Sequence, residues 1–294
     1  MAGIVPVSII DPHIHLFNKE QGQYKWWSSL SKQEQELIAR SFTVDDLSLP
    51  SKFKLKGVVH IEAGFDNHAS WREIQMVETA VAPSSLLLGS IGCVDLTLSP
   101  SDFTSALGQL SKQSSFRGVR HILDDDAFHI LAHTNTGLNF QLLSKHSLTF
   151  ELQLDLGKIG KETLNKLCQQ IDAAPDLNMV INHGGFPPAL SLSAQRTSWK
   201  LALKRLSAYP NLCIKCSGWE MNDKDYSHDY VARSVQDVID IFGERRVMFA
   251  SNFPLVLFSS RYETYWQNMY DLTKELKLNT EVLLYSNAIR TYGL

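Results

Sequence analysis

Asp11, His13 and His15 stand two residues apart in VSIIDPHIH (7–15), a segment that is otherwise mostly apolar. Side chains two apart on a β-strand share a face, so this spacing predicts three polar groups aimed at one point. Two imidazoles beside a carboxylate suit either chelation of a metal or proton handling at a reacting carbonyl, because neutral imidazole offers one nitrogen as ligand or base and the other as donor. The same alternation predicts further polar sets: His60 with Glu62, Thr149 with Glu151 and Gln153, Ile181 with His183, Cys213 with Lys215 and Ser217, and Ala250 with Asn252. Arg117, Arg120 and His121 fall in another such run, and Arg120 shares parity with Gly118. A buried guanidinium suits a carboxylate or a row of sugar oxygens, and Lys215 adds a second cation. The expected ligand is therefore an oxygen-rich, anionic small molecule. The competing reading pairs Arg120 with Glu62 or Glu151 as a purely structural salt bridge.

These residues need elements to hold them. Short apolar runs occur at 7–15, 56–63, 86–95, 116–123, 148–154, 177–184, 211–218 and 246–254. Stretches of helical period fall at 70–82, 101–113, 161–174, 195–209, 229–243 and 262–276, and 279–294 opens with an Asn-Thr capping signal and reads as a closing helix. Eight strands alternating with helices make either a closed barrel or an open doubly wound sheet. The open sheet with a dinucleotide would want G-x-G-x-x-G after an early strand, which is absent, so a single (β/α)8 barrel over 1–294 is expected. The helices cover the outside of such a barrel, so the polar sets belong inside, near the C-terminal mouth. Residues 16–50, with Tyr24, Trp26 and Trp27, form a long link after the first strand and should lie over that mouth.

At 294 residues, with 44% hydrophobic and 20% charged side chains, the chain can bury a large core, which excludes disorder as its main state. A net charge of -3 without a basic block excludes nucleic acid as the expected partner. No run approaches the roughly 20 apolar residues of a membrane span, and the start MAGIVPVSIID lacks the charged and apolar regions of a leader, so a cytoplasmic location is expected. Cys213 and Cys216 form a C-x-x-C, but a three-residue offset on a strand sends the two thiols to opposite faces, which favours packing over redox or metal chemistry.

Five ordered motifs carry a family resemblance: D-x-H-x-H at 11–15, RGVRH at 117–121, NHGG at 182–185, KCSG at 215–218 and MFASNFP at 248–254. Together they resemble the amidohydrolase-related lactonases, a group that includes L-fuconolactonase and 2-pyrone-4,6-dicarboxylate lactonase. Trp26 and Trp27 sit where fuconolactonase-like members carry a Tyr-Pro-Trp segment. The resemblance implies a hydrolase that opens a lactone ring with water. On that resemblance His13, His15 and His183 would hold the carbonyl or a metal and an arginine, here Arg120, would orient the substrate; from the residues themselves, Trp27, Glu62, His121, Glu151 and Lys215 are expected to complete the binding surface.

The family keeps its general base as an aspartate in G-S-D-W-P, and this chain reads A-S-N-F-P, with Asn252 at that place. An amide hydrogen-bonds a water but takes no proton from it. The resemblance thus leaves three functions open: a lactonase using another base, a silent barrel that binds a sugar acid, and a zinc-dependent decarboxylase or amide hydrolase. Arg120 and Glu151 stand where two-metal relatives need a lysine or glutamate and a histidine, so no two-metal site is expected. A metal-independent site is the first expectation, and a single zinc on His13, His15 and His183 is the alternative.

Overall fold

In the computed structural model, which describes residues 5–294, eight parallel strands follow one another around a sheet in chain order. The first four residues, on which the expectation about a leader partly rests, lie outside the described residues. The strands are β1 (Val7–Ile14), β2 (Phe53–Ile61), β3 (Leu87–Cys93), β4 (Phe116–Arg120), β5 (Thr149–Leu152), β6 (Met179–Ile181), β7 (Leu212–Cys216) and β8 (Val247–Phe249). All but β2, which begins earlier, fall inside an apolar run read from the sequence. The circle closes just past β8: a parallel bridge joins Ile14 to Phe253, His15 N donates to Phe253 O at 2.6 Å, and Asn252 N donates to His13 O at 3.0 Å. The fold is a (β/α)8 barrel.

Two apolar layers hold the sheet, as expected of parallel strands covered on both faces. Ile10, Val59, Ile61, Ile91, Val180 and Met248 pack together inside the barrel. Ile9, Val58, Phe150, Ile181, Ile214 and Phe249 belong to the outer layer, under the helices. Cys213 packs against the inner cluster and Cys216 lies in the outer one, so the C-x-x-C thiols do face opposite ways, and all four cysteines are free.

The helices in chain order are α1 (Lys32–Ile38), α2 (Trp71–Val81), α3 (Pro100–Leu110), α4 (Ala127–Ala132), α5 (Thr134–Lys145), α6 (Lys161–Ala173), α7 (Ser193–Ser207), α8 (His228–Phe242), α9 (Tyr262–Glu275) and α10 (Asn287–Tyr292). Their starts follow local chemistry. Ser99 caps α3 ahead of Pro100, and the Ser227 hydroxyl accepts from Tyr230 N at 3.1 Å at the head of α8. α4 and α5 were not anticipated. The buried face of α5 includes Thr136 and Asn139, and the Asn139 amide donates to the carbonyls of Leu96 and Leu98, so polar side chains occupy places where periodicity looks for apolar ones.

At the floor of the barrel, α10 sets Ala288 and Tyr292 into the inner cluster. The Asn279 side chain accepts from Val282 N at 3.2 Å, which places the start of this closing segment at its Asn-Thr signal. At the other end, the link after β1 is tied to the loop after β2: Trp26 Nε1 donates to Ala63 O at 2.8 Å and Tyr24 N to Gly64 O at 3.0 Å. No helix among the described residues is long and apolar enough to cross a membrane.

Candidate active site

β1 delivers its histidines through an irregularity that strict alternation hides. Asp11 pairs with Val58 and Ile14 with His60, so β1 spends three residues where β2 spends two. That extra residue is a β-bulge, which reverses the facing of whatever follows it. Asp11 therefore does not share a face with His13 and His15. Its carboxylate points outward, accepting from Ser251 N at 3.0 Å and Tyr262 Oη at 3.2 Å. His13 and His15 turn inward, with ring centroids 5.1 Å apart.

His183 reaches the same place by leaving its strand. Val180 belongs to the inner layer and Ile181 to the outer one, so the expected shared face of Ile181 and His183 is not observed. Beyond Ile181 the chain passes through left-handed backbone at His183, Gly184 and Gly185, and this turn carries the imidazole to within 4.7 Å of the His13 ring. Its Nδ1 lies 3.0 Å from Ser217 Oγ. Gly218 makes room for it: a Cβ there would stand 2.3 Å from His183 Nδ1, at a φ of +66° that side chains avoid.

Two ion pairs sit at different depths. Arg120 donates from Nε to Glu62 Oε1 at 2.7 Å, from Nη2 to Glu62 O at 2.6 Å and from Nη1 to Gln153 Oε1 at 2.9 Å. Five N–H donors make up a guanidinium, so two remain for a ligand. Lower down, Lys215 Nζ donates to Glu151 Oε2 at 2.7 Å, and the Tyr292 hydroxyl donates to the other oxygen of Glu151.

A cavity of about 350 Å³ opens above the histidines, walled by His15, His183, Arg120, Asn252, Glu62 and Trp26, among others. His13 lies below its surface with both ring nitrogens unpartnered among the described residues. Other expected residues lie elsewhere. Lys215 and Glu151 are fully buried beneath the cavity and are satisfied by each other, not by a ligand. Trp27 stacks on Tyr24 at 4.4 Å while Trp26 lines the cavity, because neighbours in a short helical turn point in different directions. His121 accepts from Leu96 N at 3.1 Å and lines, with Asp95 and Cys93, an adjoining cavity that shares Glu62 with this one. His60, expected beside Glu62, faces outward: Leu16 N donates to its Nδ1, leaving Nε2 to donate to Glu73 of α2 at 3.2 Å. One residue at this site was missed altogether. Glu220, just after the KCSG segment, accepts from Asn252 Nδ2 at 2.6 Å, and nothing in the spacing announces it.

Burial dominates the electrostatics. It holds His13, His15 and His183 well below the usual imidazole range, with Lys215 acting in the same direction on His13 and His183, and Arg120 on all three. The rings are neutral at physiological pH. Because His15 Nδ1 donates to Ile61 O at 2.8 Å, its Nε2 carries the free lone pair. Burial also pushes the Glu220 carboxyl up to about 7 and Asp11 up to about 6, and draws Lys215 down to about 8. As for metal, no three His, Cys, Asp or Glu side chains among the described residues are arranged as a ligand set, and Asn252 offers an amide where a carboxylate would be the better donor. The present arrangement of the described residues does not fit a chelated ion.

Neutral buried imidazoles make the fold sensitive to acid. An unfolded imidazole takes up its proton as pH falls through about 6.5, while the folded one resists, so stability present above that pH is lost below it. Each such group contributes a slope of about 1.4 kcal/mol per pH unit until its native pKa is reached. The raised carboxyls of Asp11 and Glu220 act oppositely over the same range, so the informative quantity is a difference between proteins. Urea titrations of His13→Asn should show about 1 kcal/mol less loss than the parent between about pH 7.5 and about pH 5.5. Equal losses would mean that His13 charges freely in the folded protein.

The sequence profile of the amidohydrolase family matches residues 10–294. The chain is 25% identical over 300 residues to the uncharacterized protein y4mH of Sinorhizobium fredii, covering 97% of this chain and 98% of that one. It is 24% identical over 273 residues to an L-fucono-1,5-lactonase of Burkholderia multivorans, covering 86% and 84%. A crystal structure of an amidohydrolase from Burkholderia multivorans with bound zinc superposes with a TM-score of 0.80 at 19% identity, covering 97% of this chain and 99% of that one. With nearly its whole length matched by the profile, this chain belongs to the amidohydrolase family.

Proposed function

We propose that the protein is a hydrolase that opens a lactone, a sugar lactone or a related cyclic ester, by attack of water on its carbonyl. The observation that carries this reading is the meeting of His15, His183, Arg120 and Asn252 at the wall of one cavity of about 350 Å³, a volume suited to a small ring. The lactonase among its relatives supports the same reaction class.

Each residue has a role that its bonding allows. The two free N–H groups of Arg120 hold the substrate's carboxylate or hydroxyl oxygens, with the guanidinium locked by Glu62 and Gln153. With the Ser217 hydroxyl donating to its Nδ1, His183 carries its proton on Nε2 and polarises the lactone carbonyl. His15, whose Nδ1 proton is committed to Ile61, accepts the water's proton on Nε2. The water oxygen bonds to the carbonyl carbon, the ring C–O bond breaks, and the proton passes from His15 to the departing alkoxide. The product is a hydroxy acid, which releases one proton at neutral pH.

That proton is the readout. Against a panel of aldonolactones and dicarboxylate lactones, at least one should be opened in a weakly buffered indicator assay. If every lactone stays intact with both the parent and Asn252→Asp, the reading fails. The amide at 252 favours one alternative, a barrel that binds a sugar acid without turning it over. Tight binding of aldonic acids by calorimetry, with no turnover in either protein, would select it.

A further inference from the structure

We propose that Glu220 is the positioning residue of this site: it fixes the Asn252 amide so that Oδ1 is presented to the attacking water, and a carboxylate can work at position 252 only if Glu220 is changed with it. The role in hydrolysis rests on the reading above, whereas the orientation of the amide does not.

Three observations carry the proposal. Both side chains are buried, Glu220 with 3% and Asn252 with 1% of their surface exposed, and only Asn252 lines the cavity. Asn252 Nδ2 donates to Glu220 Oε1 at 2.6 Å. An ionised Glu220 only accepts, so in that state a reversed amide would set oxygen against oxygen in a dry site, and the nitrogen faces Glu220. Finally, Glu220 Oε2 has no partner among the described residues, and no cation accounts for the buried carboxyl. Such a group costs several kcal/mol to bury, and an apolar side chain would serve packing better. The unpartnered Oε2 has room to carry the proton when the carboxyl is neutral, and Oε1 then still accepts from the amide, so the observed orientation is compatible with both forms.

The pair has a consequence for restoring the family's aspartate. Asn252→Asp alone would place two carboxyls in hydrogen-bond contact, where they cannot both ionise and one proton is shared. The introduced carboxyl is then a poor base. Adding Glu220→Gln supplies an amide that donates to it and frees it as a carboxylate.

Four variants test this: Glu220→Gln, Glu220→Leu, Asn252→Asp and the double variant Asn252→Asp/Glu220→Gln. In the first two, the side-chain 15N–1H signals of Asn252, assigned by their loss in Asn252→Asp, report the hydrogen bond without reference to turnover. They should keep their shift and exchange protection in Glu220→Gln and lose both in Glu220→Leu. With a lactone that the parent opens, kcat should fall about 10–100-fold in Glu220→Leu at little change in KM, stay within about threefold in Glu220→Gln, and be about tenfold higher in the double variant than in Asn252→Asp. Unmoved Asn252 signals in folded Glu220→Leu, or equal turnover in Asn252→Asp and the double variant, would overturn the proposal. If no protein in the set opens any lactone, the hydrolytic reading falls, and the amide signals alone decide whether Glu220 positions Asn252.

Discussion

Replacing Lys215 by methionine is expected to destabilise the protein by about 3–5 kcal/mol, the cost of leaving a buried carboxylate without its cation. Glu151 and Lys215 have no exposed surface, and the remaining partner of Glu151, the Tyr292 hydroxyl, brings no positive charge. Urea unfolding at neutral pH measures the loss. The double variant Lys215→Met/Glu151→Gln should recover to within about 1–2 kcal/mol of the parent, because it removes both charges and keeps an acceptor for Tyr292. A single variant as stable as the parent would mean that water reaches this pair, contrary to its complete burial. The result bears on function as well, since the Lys215 charge helps to keep His13 and His183 neutral.

The second large effect concerns His15. His15→Gln should lower kcat on an opened lactone by about 10²–10⁴-fold, the usual contribution of a positioned general base. Glutamine can still donate to the Ile61 carbonyl, so the backbone of β1 keeps its anchor, but its amide takes no proton from water. His13→Asn is the useful comparison. His13 lies under the cavity and not on its wall, so its loss should cost much less turnover at the same pH. Equal losses in the two variants would remove His15 from the role of base and point to the imidazole cluster acting as a unit.

Some of the site was legible in residue order because a strand alternates its faces whatever surrounds it. Thr149 and Glu151 on β5 with Gln153 just past its end, and Cys213 and Lys215 on β7 with Ser217 just past its end, kept the faces that simple parity assigns, and both strands are regular in their pairing. Parity failed where the backbone departs from a strand. The bulge in β1 turned Asp11 away from His13, and the left-handed turn after β6 brought in His183 from a strand whose parity pointed the other way. His60 failed for another reason: Val59 and Ile61 face the inner cluster, so parity within β2 sends His60 outward to Glu73 of α2, whereas Glu62, past the end of the strand, turns to the cavity.

The amino-acid sequence by itself determined the barrel, because strand length, apolar runs and intervening amphipathic stretches are local properties that each segment carries with it. It also placed the strand-end histidines and the unusual Asn252 in view. Only the tertiary structure decided which of the polar groups meet. Arg120 chose Glu62 over Glu151, Lys215 took Glu151, Trp26 displaced Trp27 at the cavity, and Glu220 came to hold Asn252. These pairings depend on distances of a few ångströms between segments remote in sequence, and in a dry interior such distances decide whether a charge is satisfied by its neighbour or left for a substrate.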